Sequence, residues 1–587
     1  MNRAPSIPTT TAPGRLFQSD MFDIWCPASR AESSAGIRRA RFAILRGGVS
    51  LADETAGSTA DTLRGRLWTG RLHPSDRTPT GGRAMSGYAR RAGRGSDGRE
   101  EITVSAVARF LGAELIGRPG DGRVVVRDVG DDSRTLSPGD AYVAFSGDRW
   151  HGLEFELEAR AAGAVVVISD RPSTVLPSVI VEDPRAAIGP LCAWFHRTRT
   201  ADLRIFGVTG TNGKTSTAHF LDVGLEAAGE TVGLISGARI RGPGCDLVPE
   251  RTTPEATTLH RTLAHFRREG VTACAMEISS HAIDQRRIDG IRYRAMAFTN
   301  LGRDHLDYHG TMENYYGTKA GMFIPERTDR AVVNIDDSYG ARLATSAATE
   351  VWTCATGDRA ADVHADGIVS TATGSDFMAW TPYGRAPVRL QVLGPHQVGN
   401  ALVALTMLIA DGVDLDVAAE GISSLHAIPG RCEPVHAGQS FAAIVDYMHN
   451  TAGQQALLPY LRSLATGRLI VVAGATGGRD RGKRRPLGRY AASQADLLIV
   501  TDESPEDEDP ALIRSEVLAG ARQACHAQVI EEPDRRTALE LAVAAADAGD
   551  VLVVAGRGSD TVQRFGTKAV YFDDHAQLHH AITSMCS

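Results

Sequence analysis

The segment Gly207-Val-Thr-Gly-Thr-Asn-Gly-Lys-Thr215 carries the densest chemistry in this sequence. It follows an apolar run, RIFGVTG, and opens a helical pattern, KTSTAHFLDVGLEAAG, which is the setting a phosphate-binding loop requires. Gly210, Thr211, Asn212 and Gly213 offer backbone N–H groups to phosphate oxygens, and the helix N-terminus at Lys214, Thr215 and Ser216 adds partial positive charge. Lys214 would reach the terminal phosphates and Thr215 would place its hydroxyl on Mg²⁺. The spacing departs from the strict pattern because Val208 stands where a glycine is usual. Further along, Glu277 ends the apolar run TACAMEIS, where a carboxylate can hold Mg²⁺ directly or through water. Asn300 ends the next run and is followed by Asp304, His305, Asp307 and His309. Such a cluster fits zinc, catalysis or a structural loop; beside a phosphate loop in one sheet, a Mg²⁺-ATP site is preferred. Lys319, in ENYYGTKAGMF, reads by itself as a solvated helix lysine.

The elements that would position these groups alternate. RIFGVTG, TVGLIS, TACAMEIS, YRAMAFTN and RAVVNID are short apolar strands separated by helical stretches, which predicts a mostly parallel sheet covered on both faces, over residues 201–427. Before it, residues 101–200 read as a small α/β domain, with EITVSAVARFLGAELIG as helix then turn and VVVRDV and DAYVAFSG as strands. After it, residues 428–587 read as another α/β sheet built on FAAIVDY, LIVVAGA, ADLLIVTD and DVLVVAG. Each of those four strands hands over to a polar or Gly-rich turn, at Asp446, Gly474, Asp502 and Gly556. In open parallel sheets the ligand crevice lies beyond the carboxyl ends of the strands, so four such turns predict one binding surface.

Composition excludes several classes. The 587 residues carry a net charge of −7, which argues against bulk nucleic-acid affinity. No apolar run is long enough to cross a membrane, and eight scattered cysteines without a Cys-x-x-Cys pair suit a reducing cytoplasm rather than a zinc ribbon. Residues 1–100 hold 16 Arg and 9 acids, about +7, leaving −14 on the rest. Their Arg, Ser, Thr, Gly and Pro content predicts a disordered or weakly ordered extension, with Met85 an alternative start.

The motifs GVTGTNGKTST, EISSHA, TNLGRDHLDYHGTMENYYGTK, GPHQVGNALVA, PGRCEP, VDYMHN, GATGGRDRGKRRP, ESPEDEDP and GRGSD occur in the order seen in the Mur ligases. The chain resembles that family over residues 103–585, and within it the branch adding the third amino acid of the muramoyl peptide. The resemblance implies a three-domain α/β fold and an ATP-dependent amide ligase of peptidoglycan precursor synthesis, cytoplasmic and monomeric. A UDP-linked muramoyl dipeptide and a free diamino acid would be its partners, and ATP would phosphorylate the acceptor carboxylate. Lys214, Glu277, His305 and Lys319 are then catalytic, with Mg²⁺ near Thr215, Glu277 and His305, and Lys319 matches a lysine that the family carbamylates. Asn300, Asn400 and Arg431 match nucleotide contacts. Ser133 matches the uridine site, Thr252 and Thr253 the muramoyl-peptide contact, and Ser279, Gln285 and Arg287 the UDP-sugar. Asp446 and His449 would close from the third domain, where Glu503, Glu506, Gly556 and Asp560 would face the incoming amino acid.

Three motifs depart from the usual form. The diaminopimelate-adding branch carries Asp-Asn-Pro-Arg where this chain reads Glu503-Ser-Pro-Glu506, so an arginine that holds a distal carboxylate becomes Glu506. Gly556-Arg-Gly-Ser-Asp560 replaces Gly-Lys-Gly-His-Glu, and Met448, Asn450 and Thr451 alter Asp-Tyr-Ala-His-Thr-Pro. A glutamate repels a carboxylate and attracts an ammonium, so the expected amino acid is L-lysine, with meso-diaminopimelate the alternative. A paralogue making a specialised-metabolite peptide, and an inactive nucleotide-sugar-binding protein, are the other readings. Folylpolyglutamate synthase is disfavoured by the uridine-site stretch 131–147.

Overall fold

A computed structural model describes residues 101–585 except 148–149 and 200–201; the expectation for residues 1–100 lies outside the described residues. Three large sheets organise the described residues, and a two-stranded one pairs Val562–Phe565 with Lys568–Tyr571. The first has the order Glu114–Ile116, Ser178–Ile180, Val166–Ser169, Ala141–Val143, Val129–Gly130. The stretch VVVRDV, expected as a strand, is strand only from Val129; upstream its backbone bonds to loops, Val126 N–H to Ile102 O and Arg127 N–H to Gly139 O. The expected helix and turn are present as Val104–Leu111 and Gly112; a short strand that was not expected, Glu114–Ile116, follows and pairs antiparallel with Ser178–Ile180.

The central sheet has eleven strands with Arg204–Thr209 inside it, between Ala273–Glu277 and Ala295–Phe298, both parallel to it. Phe206, Val208, Ala275 and Ala297 are fully buried, as parallel strands covered on both faces demand. The register sets Glu277 opposite Val208 and Phe298 opposite Thr209, so the glutamate, the phosphate loop and Asn300 leave the sheet at one edge. The helix His396–Ala410, buried along nearly all its length, packs on Lys214–Ala227 from behind; a side chain at Gly224 would strike Leu408. An antiparallel extension, Val363–Thr371, Gly374–Thr381 and Gly384–Leu390, was not expected and lengthens one edge of this sheet.

The third sheet runs Glu433–Pro434, Ala442–Asp446, Val551–Ala555, Leu469–Ala473, Leu497–Val500, Gln528–Glu531. Its four expected strands are all present and parallel, and their carboxyl ends lie together. A Cβ at Gly556 would collide with Glu503 Oε1, so these two turns touch. Among the described residues no helix is long and apolar enough to cross a membrane.

Candidate active site

The phosphate loop is shaped by two glycines at positive φ, Gly210 at 147° and Gly213 at 87°. A side chain at either would collide, with Thr299 Oγ1 and Asn400 Oδ1 respectively, so both positions exclude a Cβ. Asn300 clasps the loop: its Oδ1 accepts from Asn212 N–H at 3.0 Å, and its Nδ2 donates to Asn212 O at 3.1 Å. Asn400 stands behind the loop and accepts through its backbone oxygen from Thr217 Oγ1. Ser216 is buried in the first turn of the helix.

At the mouth of this cradle, Thr215 Oγ1 donates to Glu277 Oε2 at 2.9 Å, and Lys214 Nζ lies 4.0 Å from Glu277 Oε1. Gly237 N–H donates to the same Oε2 at 2.8 Å. Burial depresses the Lys214 ammonium below its usual value, against the pull of Glu277 and Asp304. Arg431, from the segment joining the second and third sheets, donates to Thr215 Oγ1 at 2.8 Å and lies 4.3 Å over the Tyr447 ring. The structure thus puts Arg431 beside the phosphate loop.

Lys319 is 1% exposed, which corrects its reading as a solvated lysine. Its helix turns Tyr315, Tyr316 and Lys319 inward, and its Nζ donates to Gly210 O at 2.8 Å and Thr209 Oγ1 at 3.3 Å. Burial, with Lys214 nearby, holds its amine well below the usual lysine range. His305 has φ 54°, and its backbone N–H donates to Asp304 Oδ1. Its ring packs edge-on to His281 at 4.8 Å. Among the described residues no three His, Cys, Asp or Glu side chains are gathered as a metal cluster; Thr215 and Glu277 are brought together and His305 is not bonded to either. Paired hydroxyl and carboxylate oxygens beside a phosphate cradle still fit Mg²⁺, which takes few protein ligands and shares them with substrate phosphates.

The residues that the resemblance assigns to the acceptor form a second group. Thr253 Oγ1 donates to Glu277 O and accepts from Ser279 N–H, tying this segment to the end of the strand Ala273–Glu277. Thr252 lies beside Gly237. Arg287 pairs with Glu255 at 3.0 Å, reaches Thr253 O, and donates to Gln285 Oε1 at 2.5 Å. Ser133 is buried and donates to Glu158 at 2.9 Å.

In the third sheet, Asp446 is buried with both oxygens used, accepting from Cys432 N–H and Met448 N–H. It therefore fixes the joining segment. Glu503 accepts from Thr476 Oγ1 at 3.0 Å beside Gly556, and burial raises the neighbouring Asp560 carboxyl against the charge of Arg557. Arg557 is locked inside, donating to Ser504 Oγ and to the backbone oxygens of Asp560, Val562 and Phe572. Glu506 sits at φ 53° with its N–H bonded to Arg564 O.

Sequence reading missed Arg479. It is exposed, and among the described residues its guanidinium has no hydrogen-bonding or ion-pair partner. Its place in the turn Gly474–Asp480, already assigned to the binding surface, was the available signal.

Comparison with known proteins decides the class. The Mur ligase middle domain matches residues 208–408, the Mur ligase, glutamate ligase domain 430–558, and the Mur ligase family, catalytic domain 125–189. The chain belongs to the Mur ligase family. It has the three-domain α/β fold of that family and is an ATP-dependent amide ligase. A UDP-N-acetylmuramoyl-L-alanyl-D-glutamate–2,6-diaminopimelate ligase of Corynebacterium efficiens is 40% identical over 82% of this chain and 94% of its own length. A UDP-N-acetylmuramyl-tripeptide synthetase of Leifsonia xyli is 38% identical over 76% and 90%. A solved 2,6-diaminopimelate ligase superposes with a TM-score of 0.57 at 26% identity, covering 83% of this chain and 100% of that one. MurF from Acinetobacter baumannii shares the fold, with a TM-score of 0.61 at 20% identity over 83% and 99%. The expected lysine-adding branch finds no support among these relatives, several of which are named for 2,6-diaminopimelate.

Proposed function

We propose that the protein joins 2,6-diaminopimelate to the free glutamyl carboxylate of UDP-N-acetylmuramoyl-L-alanyl-D-glutamate, in peptidoglycan precursor synthesis. The names of the relatives support both substrates. The observation that carries the chemistry is the convergence of Lys214, Thr215 and Glu277 at one edge of the central sheet, in a loop shaped for phosphate. The division of labour we propose follows the three sheets: residues 101–200 hold the UDP end, 201–427 the ATP, and 428–587 the amino acid.

In this reading the γ-phosphoryl group of ATP passes to the glutamyl carboxylate, giving ADP and an acyl phosphate. The free amine attacks its carbonyl carbon, the C–N bond forms, and the C–O bond to phosphate breaks with loss of the amine's proton. Lys214 balances charge on the moving phosphoryl group, and Thr253 and Arg287 hold the acceptor. Mg²⁺, when bound, would neutralise phosphate charge and would be held by Thr215 and Glu277, with His305 at their side. We also propose that Lys319 is carbamylated. A neutral amine is the form that attacks CO₂, and its burial supplies that form.

Glu506 places a negative charge where the family resemblance implies an arginine, and Arg479 would offer a guanidinium to a distal carboxylate from the neighbouring turn. A panel of diamino acids with ATP and the UDP-linked dipeptide, read by product mass, tests the assignment. Saturable preference for 2,6-diaminopimelate supports it. Preference for lysine would overturn it and restore Glu506 as the deciding charge.

A further inference from the structure

The helix Thr451–Leu464 of the third sheet starts directly over the phosphate loop, and the residue that caps it does more than cap. Asn450 is 1% exposed, and its Oδ1 accepts from Gly453 N–H at 2.8 Å. Its Nδ2 donates both to Asn212 Oδ1 and to Asp304 Oδ2, each at 3.1 Å, and Asn212 Nδ2 returns a contact to Asn450 Oδ1 at 3.4 Å. Asn212 is the residue of the phosphate loop that Asn300 clasps.

Asp304 is the second half of the junction. It is 3% exposed, and its Oδ2 lies 3.1 Å from His449 Nε2 while Lys483 Nζ stands 3.8 Å from Oδ1. That Oδ1 also accepts the N–H of His305 at 3.0 Å, holding a non-glycine residue in the left-handed region. Three side chains of the third sheet therefore grip the one carboxylate that shapes His305. A carboxylate buried without such partners is costly, so separating the third domain must return Asp304 to water.

We infer that Asn450 is a positioning residue coupling docking of the third domain to the shape of the phosphate loop and of His305. Threonine can also cap a helix, but its single hydroxyl cannot pair with an amide and also donate to a carboxylate. Asn450 therefore makes a tighter junction than a capping role requires, bonding the loop residue Asn212 and Asp304 as well as its own helix.

The test uses full-length Asn450→Asp and Asn450→Thr. Both keep a good N-cap, while aspartate sets a second carboxylate against Asp304. With Mg²⁺ and a non-hydrolysable ATP analogue, Asn450→Asp should show a larger radius of gyration in solution scattering and faster amide exchange in both 446–453 and 209–213. Its melting temperature should match wild type, and Asn450→Thr should fall between. These readings need no turnover, so they stand apart from the substrate assignment, on which only the last arm rests: amide formation falling about tenfold or more while ADP formed per amide rises. Wild-type scattering and exchange in Asn450→Asp would overturn the inference. So would an opened molecule whose phosphate-loop exchange is unchanged. Should Asn450→Asp fail to fold, Asn450→Thr decides by the same two readings.

Discussion

Glu277 is held from three sides, by Thr215, Lys214 and the backbone of Gly237, and it is 3% exposed. Glu277→Gln keeps the shape and removes the charge, so kcat is expected to fall by about 10²–10³ with the UDP-substrate Kd unchanged. Steady-state kinetics beside calorimetric titration check this. Lys319→Arg abolishes carbamylation, so the intact-mass increment of one CO₂ expected in wild type should vanish together with activity. At this scale the sequence was legible wherever a motif lay in one stretch, as at Lys214 and Thr215. Lys319 was not legible from its own surroundings, because only packing shows that its face of the helix turns inward. Arg479 was missed because nothing in its own stretch of sequence shows that its guanidinium is left without a partner.

Among the elements, the helix Lys214–Ala227 carries two separable predictions. Gly213→Ala forces a Cβ into Asn400 at φ 87°. The strain, about 1–2 kcal/mol, should distort the loop and weaken ATP binding, read by nucleotide titration, while the far end of the helix stays intact. Farther along the helix, Asp222 is buried and pairs with Arg241 at 2.5 Å, yet burial outweighs that pair and pushes its carboxyl up to about 6. A folded pKa above the unfolded value means a contribution that is full below about pH 4 and lost as pH rises through about 6. Relative to Asp222→Asn, wild type should lose up to about 3 kcal/mol across that window, measured by urea unfolding at each pH. The parallel strands of the second and third sheets were legible because burial on both faces writes a continuous apolar run. The antiparallel extension was not: strands such as Gly384–Leu390 bury only alternate residues, and short alternation between polar turns is a weak signal.

For the whole molecule, Asp446 fixes the segment joining the second and third sheets through Cys432 and Met448, while Arg431 in that segment reaches Thr215. Asp446→Ala should therefore lower kcat more than it weakens UDP-substrate binding; equal losses would count against closure of one domain on the others. The three-sheet order was readable from alternating strands and helices, but contacts such as Asn212 with Asn450, 238 residues apart, are set by how the sheets meet and are invisible to local pattern. The central claim is that Lys214 and its loop energise a carboxylate with ATP so that an amine displaces phosphate. The most direct measurement follows products from ATP, UDP-N-acetylmuramoyl-L-alanyl-D-glutamate and 2,6-diaminopimelate, for wild type and Lys214→Met. Equal amounts of ADP, phosphate and the extended UDP-peptide in wild type, with a loss of about a hundredfold or more in the variant, are the predicted result. AMP and pyrophosphate as products, or full-rate joining without Lys214, would contradict it.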